Sequence, residues 1–171
     1  MSQRLPPSQM DRATFVTTFG HVFEHSPWIA EAAYDRGLPQ DADNAEGLHR
    51  ALCAVLRDAS AAQQRALIDA HPDLAGRLAR AGRLTADSNK EQAGAGLDRL
   101  TDGERARFTE LNDAYKARFG FPFIMAVKGR STAEILAAFE RRLANDAATE
   151  QSAALAQIER IALLRLRDLL P

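Results

Sequence analysis

The sequence predicts an all-α fold: a single compact, bundle-like domain over residues 1–171, core about 12–170, with about eight helices and one short extended segment near 121–127. Three observations carry that expectation. Apolar residues recur at helical spacing through most of the chain, capping-box spacings mark several helix starts, and glycines follow the periodic segments where helices stop. Length agrees, because 171 residues suit one domain of the usual roughly 100–200 and can bury a core without metals or disulfides. No fixed-period repeat, low-complexity tract or linker interrupts the chain.

Taken in order, Phe15, Val16, Phe19, Val22 and Phe23 form one apolar stripe and predict the first helix. Ser26-Pro27 reads as a cap followed by a first-turn proline, opening the second. Leu48, Ala51, Leu52, Val55 and Leu56 mark the third, and Ser60-x-x-Gln63 starts the fourth. Proline at 72 interrupts that helix near His71, since the residue before a proline avoids helical backbone. Further helices are expected over Leu74 to Ala81, after Thr101-x-x-Glu104 to Phe119, after Ser131-x-x-Glu134 to Leu143, and from about Thr149 to Leu170. Gly37, Gly82 and Gly120 read as stops. Phe121-Pro-Phe-Ile-Met-Ala-Val127 is continuously apolar with proline near its start, so it is expected to be buried and extended or irregular. Without a ladder partner its backbone groups need some other satisfaction, which makes it a candidate ligand-facing wall.

Charge and cysteine content exclude whole classes of function. With 22 Lys+Arg against 23 Asp+Glu the net charge is −1, which gives no basic footprint for nucleic acid. Cys53 is the lone cysteine, which excludes an intrachain disulfide and a thiolate-rich zinc site and fits a reducing compartment. Met1 to Asp11 lacks the apolar run of a secretory signal, and no stretch is long enough to cross a bilayer. The expectation is a cytoplasmic protein with no membrane partner.

Four groups of residues could carry chemistry. His21-Val-Phe-Glu24-His25 has the H-x-x-E-H spacing of zinc hydrolases, or else is a pair of helix-terminal histidines. His71, at an interhelical junction, is either a general acid or base or a hydrogen-bonding residue at a helix end. Ser88-x-x-Glu91-Gln92 is a capping box, an anion-friendly helix start, or both, with Gly94 and Gly96 ending a short helix. Arg165 falls on the apolar stripe of Leu155, Ile158, Ala162 and Leu169, where it needs an acidic partner or an anionic ligand unless it snorkels out. Arg160 and Arg167 fall off that stripe and should be solvated.

Together, Phe23-Glu-His-Ser-Pro-Trp28, His71-Pro-Asp-Leu-Ala-Gly76, Ser88-x-x-Glu91-Gln92, Arg118-Phe-Gly-Phe-Pro-Phe-Ile124 and Ile161-Ala-Leu-Leu-Arg-Leu166 resemble the OHCU decarboxylase family of urate catabolism. The resemblance runs from about Phe15 to Leu170. It implies an all-helical enzyme that converts 2-oxo-4-hydroxy-4-carboxy-5-ureidoimidazoline to (S)-allantoin and carbon dioxide with no cofactor and no metal. By the same resemblance, His71 is catalytic with Glu91 as its acidic companion. Pro72, Ser88, Gln92, Arg165 and backbone groups of Phe123, Ile124, Met125, Ala126 and Val127 would bind this small-molecule substrate. Several family members are homodimers, so a second copy is the one macromolecular partner implied. The peroxisomal ending of vertebrate members is missing from Leu170-Pro171, which points to a cytoplasmic, bacterial-type enzyme. The competing readings are a non-catalytic helical binding or adaptor module, with these residues as caps and core, and a zinc hydrolase built on His21 and His25.

Overall fold

Three helix starts show why the chain becomes helical where it does. Thr101 with Glu104, Ser131 with Glu134 and Ser60 with Gln63 form reciprocal boxes, each side chain accepting the other residue's backbone N–H. The computed structural model describes the backbone from Arg4 to Leu170 and the side chains between them except Leu78 and Arg80; the expected domain limit at 1–3 and the Pro171 ending lie outside the described residues. After a 3-10 turn at Pro7–Gln9 come α1 (Arg12–Phe19), α2 (Trp28–Asp35), α3 (Ala45–Asp58), α4 (Ala61–Asp69), α5 (Arg77–Arg80), α6 (Ala86–Gly94), α7 (Asp102–Phe119), α8 (Thr132–Leu143) and α9 (Ala147–Leu169). Eight of these run two turns or more and α5 is a single turn; no strand occurs among the described residues. The fold is all-α.

The helices gather into two compact units. One holds the chain up to Leu67 together with the part from Glu159 onward. Its core is Phe15, Phe19, Ile29, Leu48, Leu52, Leu56 and, from the end of α9, Ala162 and Leu166, all under a few per cent exposed. Paired forks fasten its surface: Arg12 on Asp35 at 2.8 and 3.0 Å, and Arg57 on Glu159 at 2.9 and 2.8 Å. The other unit, Ile68–Ile158, is built on an aromatic cluster. Phe123 stacks on Phe139 with centroids 3.9 Å apart and planes at 9°, and Tyr115 meets both rings edge-on.

Four expectations about helix limits need correction. The first helix stops at Phe19 rather than Phe23, because Gly20 takes the C-cap and a Cβ there would lie 2.5 Å from the Val16 carbonyl. Val22 and Phe23 are buried in the turn that follows, so their contribution to the stripe reported burial and not helix. Ser26 does not cap α2: Pro27 is the N-cap residue, and the Ser26 hydroxyl donates to the Glu24 carbonyl at 2.8 Å. Leu74 precedes rather than opens the helix that ends near Ala81, which is one turn long. Ser88 does not cap α6, since Thr85 holds that position and accepts the Ser88 N–H. The S-x-x-E spacing therefore lies inside the helix, where it places Ser88, Glu91 and Gln92 on one face.

Candidate active site

His71 lies in the turn between α4 and α5, 9% exposed, with its backbone N–H on the Ile68 carbonyl at 3.2 Å. The residues after it form a loop held from several sides. Ala75 is in the left-handed region at φ 51°, and a Cβ on Gly76 would fall 2.5 Å from the Asp73 Cβ, so this position requires glycine. Gln92 from α6 clamps the loop with both ends of its amide: Oε1 accepts the Ala75 N–H at 2.9 Å and Nε2 donates to the Asp73 carbonyl at 3.2 Å. One lone pair and one N–H of Gln92 remain for other partners. Asn112 of α7 donates to the Leu74 carbonyl at 2.9 Å, and Lys116 pairs with Asp73.

His71 and Pro72 open onto a cavity of about 470 Å³ whose walls also include Asp73, Asn112, Lys116 and Pro122. Asp73 Oδ1 and Asn112 Oδ1 are buried acceptors with no donor among the described residues. Of the residues expected at the site, this cavity gathers only His71 and Pro72. Ser88 and Gln92 are buried on α6, at 6% and 5% exposure, with Glu91 half-buried between them. Gln92 couples that helix face to the His71 loop.

Phe121 to Val127 forms neither helix nor strand, and all of it but the half-buried Met125 is buried. Two of its backbone groups are met by side chains, as the want of a ladder partner requires. Arg142 Nη1 donates to the Ile124 carbonyl at 2.6 Å, and the Ala126 N–H donates to Gln157 Oε1 at 2.9 Å. The amides of Ile124, Met125 and Val127 reach no acceptor among the described residues. Arg142 is held in turn by Glu150 at 2.9 Å, and Glu150 also accepts from Tyr115 at 2.6 Å and Asn145 at 3.0 Å. Burial first, and then that bond to Glu150, pushes the Tyr115 hydroxyl well above the usual phenol range.

Arg165 belongs to the other unit. It is 6% exposed, donates to the Val22 carbonyl at 3.2 Å, and pairs with Glu24, itself 2% exposed, at 3.0 Å. The acidic partner that its position demands is thus present. Arg160 and Arg167 are exposed, as their position off the stripe requires. The H-x-x-E-H residues are not on a helix: α1 ends before His21, His25 sits at φ 47°, and Glu24 faces Arg165. Neither histidine is helix-terminal, and the one-turn spacing that lets two helical histidines share an ion does not apply. Cys53 is buried, and burial followed by Glu159 pushes its thiol up to about 12, which removes it as a nucleophile. Sequence reasoning did not find Asp73, Asn112, Lys116, Arg142, Glu150 or Gln157. The one available signal was the unmet backbone of Phe121 to Val127, which demanded partners without naming them.

Comparison with known proteins follows the same outline. Residues 8–167 match the family described as OHCU decarboxylase. A protein of Halalkalicoccus jeotgali named 2-oxo-4-hydroxy-4-carboxy-5-ureidoimidazoline decarboxylase is 41% identical over 162 residues, covering 95% of this chain and 88% of its own. A Haloferax volcanii protein of the same name is 40% identical over 161 residues, covering 94% and 92%. The crystal structure of an (S)-allantoin synthase superposes with a TM-score of 0.75 at 29% identity, and the 96% of this chain that matches spans about half, 52%, of that chain.

Proposed function

The chain belongs to the OHCU decarboxylase family, and from that membership we infer that it is a carboxy-lyase of urate degradation, releasing carbon dioxide from 2-oxo-4-hydroxy-4-carboxy-5-ureidoimidazoline to leave (S)-allantoin. The observation that carries this reading is the identity of 41% along 95% of the chain. The chemistry is consistent with what the residues offer. In the substrate, the carbon bearing carboxylate and hydroxyl adjoins a C=N bond. When the carbon–carboxylate bond breaks, its electron pair forms a ring C=C bond and the C=N pair moves onto that nitrogen, which takes up a proton, giving an enol. The enol hydroxyl then gives up its proton as the ketone forms, and the neighbouring ureido-bearing carbon takes a proton on one face. Because the substrate holds its own electron sink, the reaction needs no added cofactor or metal.

The protein's part is to orient the carboxylate out of the ring plane, stabilise charge on the ring and manage the protons that move. His71, buried beside Pro72, is proposed to handle the hydroxyl proton, with Glu91 orienting it or meeting the ureido group. The clamp from Gln92 to Asp73 and Ala75 supports this assignment, because it ties the helix carrying Ser88 and Glu91 to the His71 loop. Amides between Phe123 and Val127 are proposed to meet ring oxygens; three of them lack an acceptor among the described residues. Arg165 is proposed as a substrate ligand on the family resemblance alone. We further propose that the chain acts as one domain, in the cytoplasm and as a homodimer; among the described residues no helix is long and apolar enough to cross a membrane.

Freshly generated urate-oxidation product decays to racemic allantoin unaided. With enzyme present, its ultraviolet absorbance should fall faster and the circular dichroism of one allantoin enantiomer should grow, with or without chelator. His71→Asn should lose roughly 10²–10⁴-fold in turnover, the usual share of a general acid or base. Unchanged racemic decay with the wild-type chain would make it a binding module instead.

A further inference from the structure

Residues 122–127 lie in neither helix nor strand, so helix or ladder bonds do not satisfy their backbone groups. The Ile124 carbonyl and the Ala126 N–H are two residues apart, and each meets a side chain from a helix, Arg142 of α8 and Gln157 of α9. The amides of Met125 and Val127 reach no acceptor among the described residues although Val127 is only 4% exposed. A buried amide without an acceptor is costly, so backbone left this way is backbone prepared for a ligand oxygen.

We propose that Arg142 and Gln157 are positioning residues of the decarboxylation: by holding the Ile124 carbonyl and the Ala126 N–H they fix residues 123–127 so that the Met125 and Val127 amides form a preset pair of donors for substrate oxygens. This rests on the function inferred above. Arg142 is built for the task. Its guanidinium lies 4.4 Å from the centroid of the Phe123 ring, which is itself stacked on Phe139, and its Nε is fixed by Glu150, which is fully buried. Planar stacking, a carbonyl contact and a carboxylate contact together demand a guanidinium, which lysine does not reproduce. Gln157 needs only an acceptor at Oε1. The donors that stabilise charge developing on the ring are therefore rigid before substrate arrives, and preorganised donors of this kind act on the transition state.

The test uses Gln157, which is half-exposed and not in the aromatic core, so its variants should fold. Gln157→Met keeps length and removes the acceptor; Gln157→Glu keeps an acceptor. With wild-type turnover established first, Gln157→Met should lower kcat roughly 10-fold or more, a part of the roughly 10²–10³-fold that outright loss of one transition-state donor costs, with KM within about 2-fold and melting near wild type. Gln157→Glu should recover most of kcat. In hydrogen exchange, the amides of 125–127 should exchange faster in Gln157→Met than in wild type and Gln157→Glu. Wild-type kcat in Gln157→Met, or failure of Gln157→Glu to recover it, overturns the positioning role while the function stands. A wild-type chain with no turnover overturns both.

Discussion

Arg165 shows what a single residue can and cannot disclose. Periodicity marks it as a charge on an apolar stripe, which already requires a partner. That partner, Glu24, is 141 positions earlier and was visible in the sequence as part of a metal-like motif and of a family motif, neither of which points to Arg165, so the pair could not be read without the fold. Both members are nearly fully buried, at 6% and 2% exposure. Removing one strands the other, and breaking such a pair costs about 3–5 kcal/mol, whereas removing both charges is often near neutral. Arg165→Met should therefore lower urea stability by about that amount, and Glu24→Gln added to it should recover a good part. Equal stability for Arg165→Met and wild type would mean that the pair contributes nothing to the fold. Substrate affinity measured on the double variant then isolates the binding role of Arg165 from its structural one.

At the scale of elements, capping chemistry was legible where the box stands at a true start and misleading where it does not. Ser60, Thr101 and Ser131 cap as their spacing implies. Ser88 has the same spacing, but Thr85 three residues earlier claims the cap, because an S-x-x-E pair also occurs as i, i+3 neighbours within a helix. The Phe121 to Val127 segment was legible as buried and non-helical, while its partners on α8 and α9 were not, since side chains that serve a backbone carry no local pattern. The box at Ser131 makes a pH prediction. The Ser131 backbone N–H, then its hydroxyl, holds the Glu134 carboxyl below its usual 4.5. A carboxyl with a lowered folded pKa adds stability above the unfolded value and loses it as pH falls through the folded one. Glu134→Gln should thus melt below wild type near neutral pH, and the difference should shrink as pH drops below 4.5. Ser131→Ala should cost about 1 kcal/mol near neutral pH, and only the part from its bond to the Glu134 N–H, which does not titrate, should persist in acid, because the hydroxyl also helps to hold the Glu134 carboxylate. A wild-type-to-Gln difference that grows on acidification would contradict this account.

Across the whole molecule, the exposed residues bear on the proposed homodimer. Obligate dimers bury an apolar face resembling a cut core, and the isolated chain then exposes that face. Here Leu5, 53% exposed, is the large hydrophobic residue that stands out among the described residues, and exposed ion pairs such as Arg12–Asp35, Arg36–Asp58 and Arg107–Glu140 dot the surface. A net charge of −1 removes long-range repulsion between copies, so association can proceed through complementary local charge. An interface of that kind is polar, and exposed ion pairs weaken as the Debye length shrinks, from about 10 Å at 0.1 M salt to about 3 Å at 1 M. The proposed homodimer should therefore be reversible: sedimentation velocity should show a monomer–dimer equilibrium that shifts to monomer with dilution and, at fixed protein concentration, with salt raised over that range. A dimer unmoved by both would require an apolar interface assembled from half-buried residues that open on association. A monomer at every concentration and low salt would remove the homodimer that the family resemblance implies, leaving catalysis to one chain.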